Sequence, residues 1–155
     1  MPLPSAGSPA PDFSLVSDSG SVVRLADLRG RPVVLFFYPK DDTPGCTVEA
    51  CAFRDDYAAY DQAGAVIIGV SPDSVDSHKK FKAKFNLPFP LLADEGHRVA
   101  EAYGAWGEKK GAGGTRMGIL RTTFVIGSDG VLLKVFEKVK PDGHSQEILG
   151  ALPSN

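Results

Sequence analysis

Apolar and polar residues are distributed along the chain in a pattern that predicts its elements. Asp12 to Val16 and Val22 to Leu25 alternate apolar and polar positions on either side of Asp18-Ser19-Gly20, a turn signal, and predict a hairpin. Val33-Val34-Leu35-Phe36-Phe37-Tyr38 is continuously apolar, as strands covered on both faces are, and it stops at Pro39. From Pro44 to about Tyr60 the period changes. Val48, Cys51, Ala52, Phe53, Tyr57 and Tyr60 recur every three to four positions with charges between them, which predicts a helix. A second buried strand is predicted at Ala65 to Val70, then a helix from Ser74 to Phe85 that ends before Asn86 and Pro88. Leu91 to Ala93 reads as a short strand and His97 to Tyr103 as another helix. Gly104 to Gly118, rich in glycine and charge, reads as a long loop. Strands at Ile119 to Ile126 and Val131 to Val139 flank the turn Gly127-Ser128-Asp129-Gly130, and Ser145 to Leu152 closes as a helix.

Strands and helices in this order describe an α/β protein with a central mixed sheet flanked by helices, the order found in thioredoxin-like folds. A length of 155 residues, 43% of them hydrophobic, suits one domain spanning 1–155 with a single core. The net charge of −2 comes from 17 basic and 19 acidic residues scattered along the chain, which argues against nucleic acid or an anionic membrane as a partner. No apolar run approaches the roughly 18 residues that a bilayer span needs. Met1 to Pro11 has four prolines but neither a basic start nor an apolar segment of signal-peptide length, so a cytoplasmic location is expected.

The chain has only two cysteines, five positions apart, too few and too local for a secreted disulfide scaffold. Both lie where the central strand gives way to the first helix, a place where ligands collect in α/β sheets. Thr43-Pro44 reads as an N-cap followed by proline at the first helical position, which puts Cys46 in the first turn. Free backbone N–H groups and the helix dipole stabilise an anion there, so the Cys46 thiolate is favoured, while Cys51 lies beyond the strongest part of that field. In a regular helix, residues five apart have Cα atoms about 8.6 Å apart. A disulfide needs less than about 7 Å, so bonding the two sulfurs requires the helix to unwind.

Plainer readings fit the same residues. A cysteine pair can be one core thiol with an accidental neighbour. Thr43 can be only a cap, Glu49 an exposed helix residue and Arg121 a solvent-facing residue near a strand end. Zinc fits poorly, because a structural site wants four ligands and His78, His97 and His144 are remote in sequence from the cysteines.

Pro39-x-x-x-Thr43-x-x-Cys46 resembles the peroxiredoxin active-site motif, and Cys51 five residues on resembles the peroxiredoxin Q or bacterioferritin-comigratory-protein subgroup. The likeness continues through Ala10-Pro11-Asp12-Phe13, Phe36-Phe37-Tyr38-Pro39, Ala105-Trp106-Gly107-Glu108-Lys109 and Arg121-Thr122-Thr123-Phe124. It implies that Cys46 is the peroxidatic cysteine and Cys51 the resolving one. It further implies that Thr43 and Arg121 bind the hydroperoxide and assist the thiolate, that Pro39 shields the site, and that Glu49 orients the arginine. A Cys46–Cys51 intramolecular disulfide, a thioredoxin-type reductant and the absence of metal, haem and flavin follow from the same resemblance. Because no cysteine follows Cys51, turnover can be completed within one chain, and a monomer is the simplest expectation. Two other functions compete: a thiol–disulfide oxidoreductase acting on proteins, disfavoured by the missing C-x-x-C, and a peroxide sensor whose oxidised helix is read by a partner.

Overall fold

The computed structural model describes residues 3–111 and 113–152, with the backbone alone at 110 and 111. Met1 and Pro2 of the proline-containing start and Ala112 of the glycine-rich stretch lie outside the described residues. The N-terminal hairpin forms as expected from β1 (Ser14–Ser17) and β2 (Val22–Arg24). β3 (Val33–Phe37) is buried at every position, and the two faces of its pleat explain why. Val33, Leu35 and Phe37 enter one apolar cluster, while Val34, Phe36 and Tyr38 enter the other.

The chain continues through α1 (Pro44–Asp55), α2 (Tyr57–Gln62), β4 (Val66–Ser71), α3 (Val75–Phe85), β5 (Leu91–Ala93) and α4 (Arg98–Ala102). β6 (Trp106–Gly111), β7 (Gly114–Ile119), β8 (Thr122–Ile126), β9 (Leu132–Phe136) and α5 (His144–Ala151) complete it. Seven strands form a mixed sheet in the order β2-β1-β5-β4-β3-β8-β9. β3 pairs parallel with β4 and antiparallel with β8. Phe53 of α1, Tyr60 of α2, Phe81 of α3 and Ile148 of α5 cover one face. Ala100 of α4, with Tyr103 and Ile119, covers the other. Gly69 on β4 has no room for a side chain, since a Cβ there would lie 2.8 Å from the Phe36 ring and 2.9 Å from Leu91.

Three local expectations are corrected. The stretch read as a loop from Gly104 to Gly118 is largely a two-stranded hairpin, β6 against β7, in register from Trp106↔Ile119 to Gly111↔Gly114. Much of β7 is exposed, so no face of it needs an apolar stripe, and Trp106 is held by stacking on the His97 ring at 3.7 Å. The helix expected from Pro44 to Tyr60 is two helices that meet at Asp56, where the backbone leaves helical angles. The Asp56 carboxylate accepts a hydrogen bond from Gln146 of α5, and the new direction lets Tyr60 donate to the Ser145 carbonyl at 2.7 Å. The strand expected from Ile119 to Ile126 is interrupted at Leu120-Arg121, where Ile119 ends β7 and Thr122 begins β8.

Candidate active site

The topology brings the site together. Because β8 runs antiparallel to β3 with Thr122 opposite Phe37, the residue just before β8 lies beside the loop that leaves β3. That residue is Arg121. Its carbonyl accepts from Val139 N–H outside the sheet ladder, and its side chain, only 16% exposed, turns inward rather than to solvent. Nη2 donates to Cys46 Sγ at 3.2 Å and Nη1 to Glu49 Oε1 at 2.6 Å, so one guanidinium spans both residues of α1. Burial works against the Arg121 charge, and the nearby Glu49 and Cys46 more than offset it, raising its pKa.

Cys46 is in the first turn of α1 as expected, but it is buried at 2% exposure, and it is unbonded to Cys51. Cys51 is half-buried on the same continuous helix. Burial raises its pKa, with Arg54 opposing and Asp55 assisting. Glu49 is not the exposed helix residue of the plainer reading. It is buried at 1%, Oε2 has no partner among the described residues, and burial pushes its pKa up to about 7 against the pull of Arg121.

Thr43 occupies the N-cap position of α1, but its side chain caps nothing. Its hydroxyl donates to the Lys40 carbonyl at 2.8 Å instead. The one proton being committed, the oxygen faces any further partner only as an acceptor. Pro39, with Leu3, Lys109, Leu120, Arg121 and Lys138, lines a groove of about 390 Å³.

Two residues with no expected role also shape the site. Gly45 packs against the arginine, since a Cβ there would lie 3.2 Å from Arg121 Nη2. Lys109 of β6 brings a second cation, whose pKa is lowered by burial and by Arg116 and Arg121 while Cys46 acts in the opposite direction. A lone glycine in a helix's first turn carries no periodic signal, and a hairpin without apolar alternation hides the lysine. None of the described residues forms a group of three or more His, Cys, Asp or Glu placed to hold a metal ion. No helix among them is long and apolar enough to cross a membrane.

A reduced cysteine at the start of a helix, beneath a half-buried arginine and at the end of a mixed thioredoxin-like sheet, defines a thiol-dependent peroxidase. The chain belongs to the AhpC/TSA family, whose model matches residues 6–135. It is 52% identical to peroxiredoxin Bcp of Bacillus subtilis over 146 residues, covering 94% of this chain and 93% of the relative. Among solved structures it is similar to a mutant of the Xylella fastidiosa PrxQ, with a TM-score of 0.91, 32% identity and coverage of 98% and 96% of the two chains. It is also similar to the Xanthomonas campestris bacterioferritin comigratory protein, with a TM-score of 0.86, 38% identity and coverage of 90% and 89%. The chain is thus a peroxiredoxin, an oxidoreductase of the peroxidase type, and its relatives are Bcp and peroxiredoxin Q proteins.

Proposed function

We propose that this peroxiredoxin reduces hydrogen peroxide and organic hydroperoxides with Cys46 as nucleophile and Cys51 as resolving thiol, and that residues 1–155 work as one domain. The observation that carries this reading is the Arg121 guanidinium at 3.2 Å from Cys46 Sγ. The Cys46 thiolate attacks the terminal oxygen of ROOH, the S–O bond forms as O–O breaks, and the departing alkoxide takes a proton to leave as ROH or water. Charge grows on that oxygen in the transition state, where donors already aimed at the site are most effective. Arg121 supplies N–H donors, Thr43 accepts from the hydroperoxide O–H, Glu49 orients the arginine, and Pro39 walls the groove.

The product is Cys46 sulfenic acid. Cys51 attacks its sulfur, the S–S bond forms and water leaves. With both cysteines on one unbroken helix, about 8.6 Å apart at Cα, that step needs α1 to unwind. A thioredoxin-type dithiol then returns both thiols by exchange, its own sulfurs being oxidised to a disulfide. Resolution within the chain goes with a monomer, and a reducing cytoplasm with the need for a dithiol donor. The alkyl peroxide reduction activity named for the Xanthomonas campestris protein supports organic hydroperoxides as substrates.

The test is intact-protein mass spectrometry after one equivalent of peroxide, run alongside steady-state consumption with thioredoxin and its reductase. The unaltered chain should lose two hydrogens and turn over, Cys51→Ser should stop at the sulfenic acid, and Cys46→Ser should remain unmodified. Equal oxidation of Cys46→Ser would defeat the assignment. A single stoichiometric oxidation without turnover would mark a sensor instead.

A further inference from the structure

Beneath the loop from Pro39 to Thr43 lies a buried polar cluster that the reaction as described does not use. The Asp41 carboxylate accepts from Tyr38 OH at 2.6 Å on Oδ1, and from Ser77 Oγ at 2.9 Å and His78 Nδ1 at 2.7 Å on Oδ2. The other ring nitrogen of His78 faces the Leu92 carbonyl at 2.9 Å. Both nitrogens therefore point at acceptors, and only the doubly protonated ring satisfies both. Burial opposes that charge, while Asp41, the Leu92 carbonyl and Asp73 raise the His78 pKa above its ordinary value. The pair is almost wholly out of water, with side chains 0% and 3% exposed. A buried ion pair of this kind is weak support for stability as such, because hydrophobic residues of the same volume often serve as well.

The cluster's position suggests what it is for. The Asp41 N–H donates to Asp73 Oδ2 at 2.8 Å, and Asp73 is itself held by Ser71 Oγ at 2.6 Å. That N–H shares a planar peptide unit with the Lys40 carbonyl, so fixing one end of the unit fixes the direction of the other. The Lys40 carbonyl is the group that receives the Thr43 hydroxyl proton. A continuous mechanical line thus runs from the His78 ring through Asp41 and one peptide plane to the rotor of Thr43. Asp42 next along has a left-handed backbone at φ 58°, so without such anchoring the loop would have reason to relax.

We infer that Asp41, His78 and Asp73 are positioning residues for the peroxidase step, holding the Lys40–Asp41 peptide so that the Thr43 oxygen is presented to the hydroperoxide as an acceptor. The inference rests on the reading that Thr43 receives the substrate, and a double-mutant cycle separates the two. The reference is the full chain carrying Cys51→Ser, in which peroxide oxidation is a single observable step. Two rates are followed, oxidation of Cys46 by hydrogen peroxide and its alkylation by iodoacetamide, which has no hydroperoxide O–H for Thr43 to accept.

Asp41→Asn should slow the peroxide reaction about 10-fold or more, since misplacements well under 1 Å matter in such sites, and leave alkylation within about twofold. Combined with Thr43→Val, it should add little to the loss that Thr43→Val causes alone. Asp73→Ala, farther from the ion pair, should slow oxidation about threefold or more with alkylation unchanged, and it decides the matter if Asp41→Asn does not fold. Losses that multiply in the double variant, or that affect alkylation equally, would overturn the positioning role while leaving Thr43 in place. An unimpaired Thr43→Val would remove both.

Discussion

The loop that enters the active-site helix and the helix itself carry adjacent residues of one site, yet different forces hold them. Residues 39–43 are fixed from below by a buried ion pair, a tyrosine hydroxyl and a serine, all converging on Asp41. The helix beyond Cys46 is held mainly by Ala50 and Phe53 in the apolar cluster, with two polar ties, Glu49 to Arg121 and Arg54 to the Phe85 carbonyl. Val48 on the same helix is 47% exposed and Cys51 is half-buried. Buried charged hydrogen bonds are directional and costly to leave unmade. Apolar contacts are non-directional, so a shifted segment can remake them. The contrast suits the proposed reaction, in which residues 39–43 stay in place while the turn between the two sulfurs lets go.

The helix is tied to the sheet at Arg121. Arg121→Ala should slow oxidation of Cys46 about 10²- to 10³-fold in stopped-flow measurements, the usual cost of a transition-state donor, while the disulfide still forms once sulfenic acid is made. Hydrogen exchange separates the two regions directly. After oxidation, amides from Cys46 to Cys51 should exchange about 10-fold faster or more, whereas those of residues 39–43 keep their protection. Unchanged exchange in the helix would contradict the unwinding.

Glu49 gives a pH signature. Its folded pKa, about 7, lies above the ordinary carboxyl value of 4.5, so between those values the native state keeps a proton that the unfolded chain has released. Stability from this group is therefore present below about pH 4.5 and is lost as pH rises through about 7, a difference of about 3 kcal/mol. Glu49→Gln should abolish that slope in denaturant titrations. It should also remove an inflection near pH 7 in the peroxide rate, which is several-fold higher where the ionised carboxylate holds the arginine. The smallest effect is expected at Gly45. Its Cβ would sit 3.2 Å from a guanidinium that can give by a few tenths of an ångström, so Gly45→Ala should slow oxidation about two- to fivefold without changing the disulfide step.

Much of the fold could be read directly, for reasons that differ by element. The Val33 to Tyr38 run is apolar because both faces of its strand are covered, and Ser74 announces α3 by accepting from Ser77 N–H at 3.1 Å. The β6–β7 hairpin escaped because much of it is exposed and carries no apolar alternation. The break at Asp56 escaped because the residues that exploit it, Ser145 and Gln146, are some ninety positions away.

Local sequence determined the catalytic segment itself: a proline-started helix, a cysteine in its first turn, and a second cysteine too far along that helix to bond without unwinding. These are short-range consequences of φ, of helix pitch and of free amides at a helix end. Tertiary structure decided what surrounds that sulfur. Arg121 reaches it because β8 runs antiparallel beside β3, and there it pairs with the buried Glu49 carboxylate. Asp41 meets His78 across 37 positions through the packing of α3 on the sheet. Long-range pairing of charges leaves no local periodicity, and so no trace in the pattern of the chain.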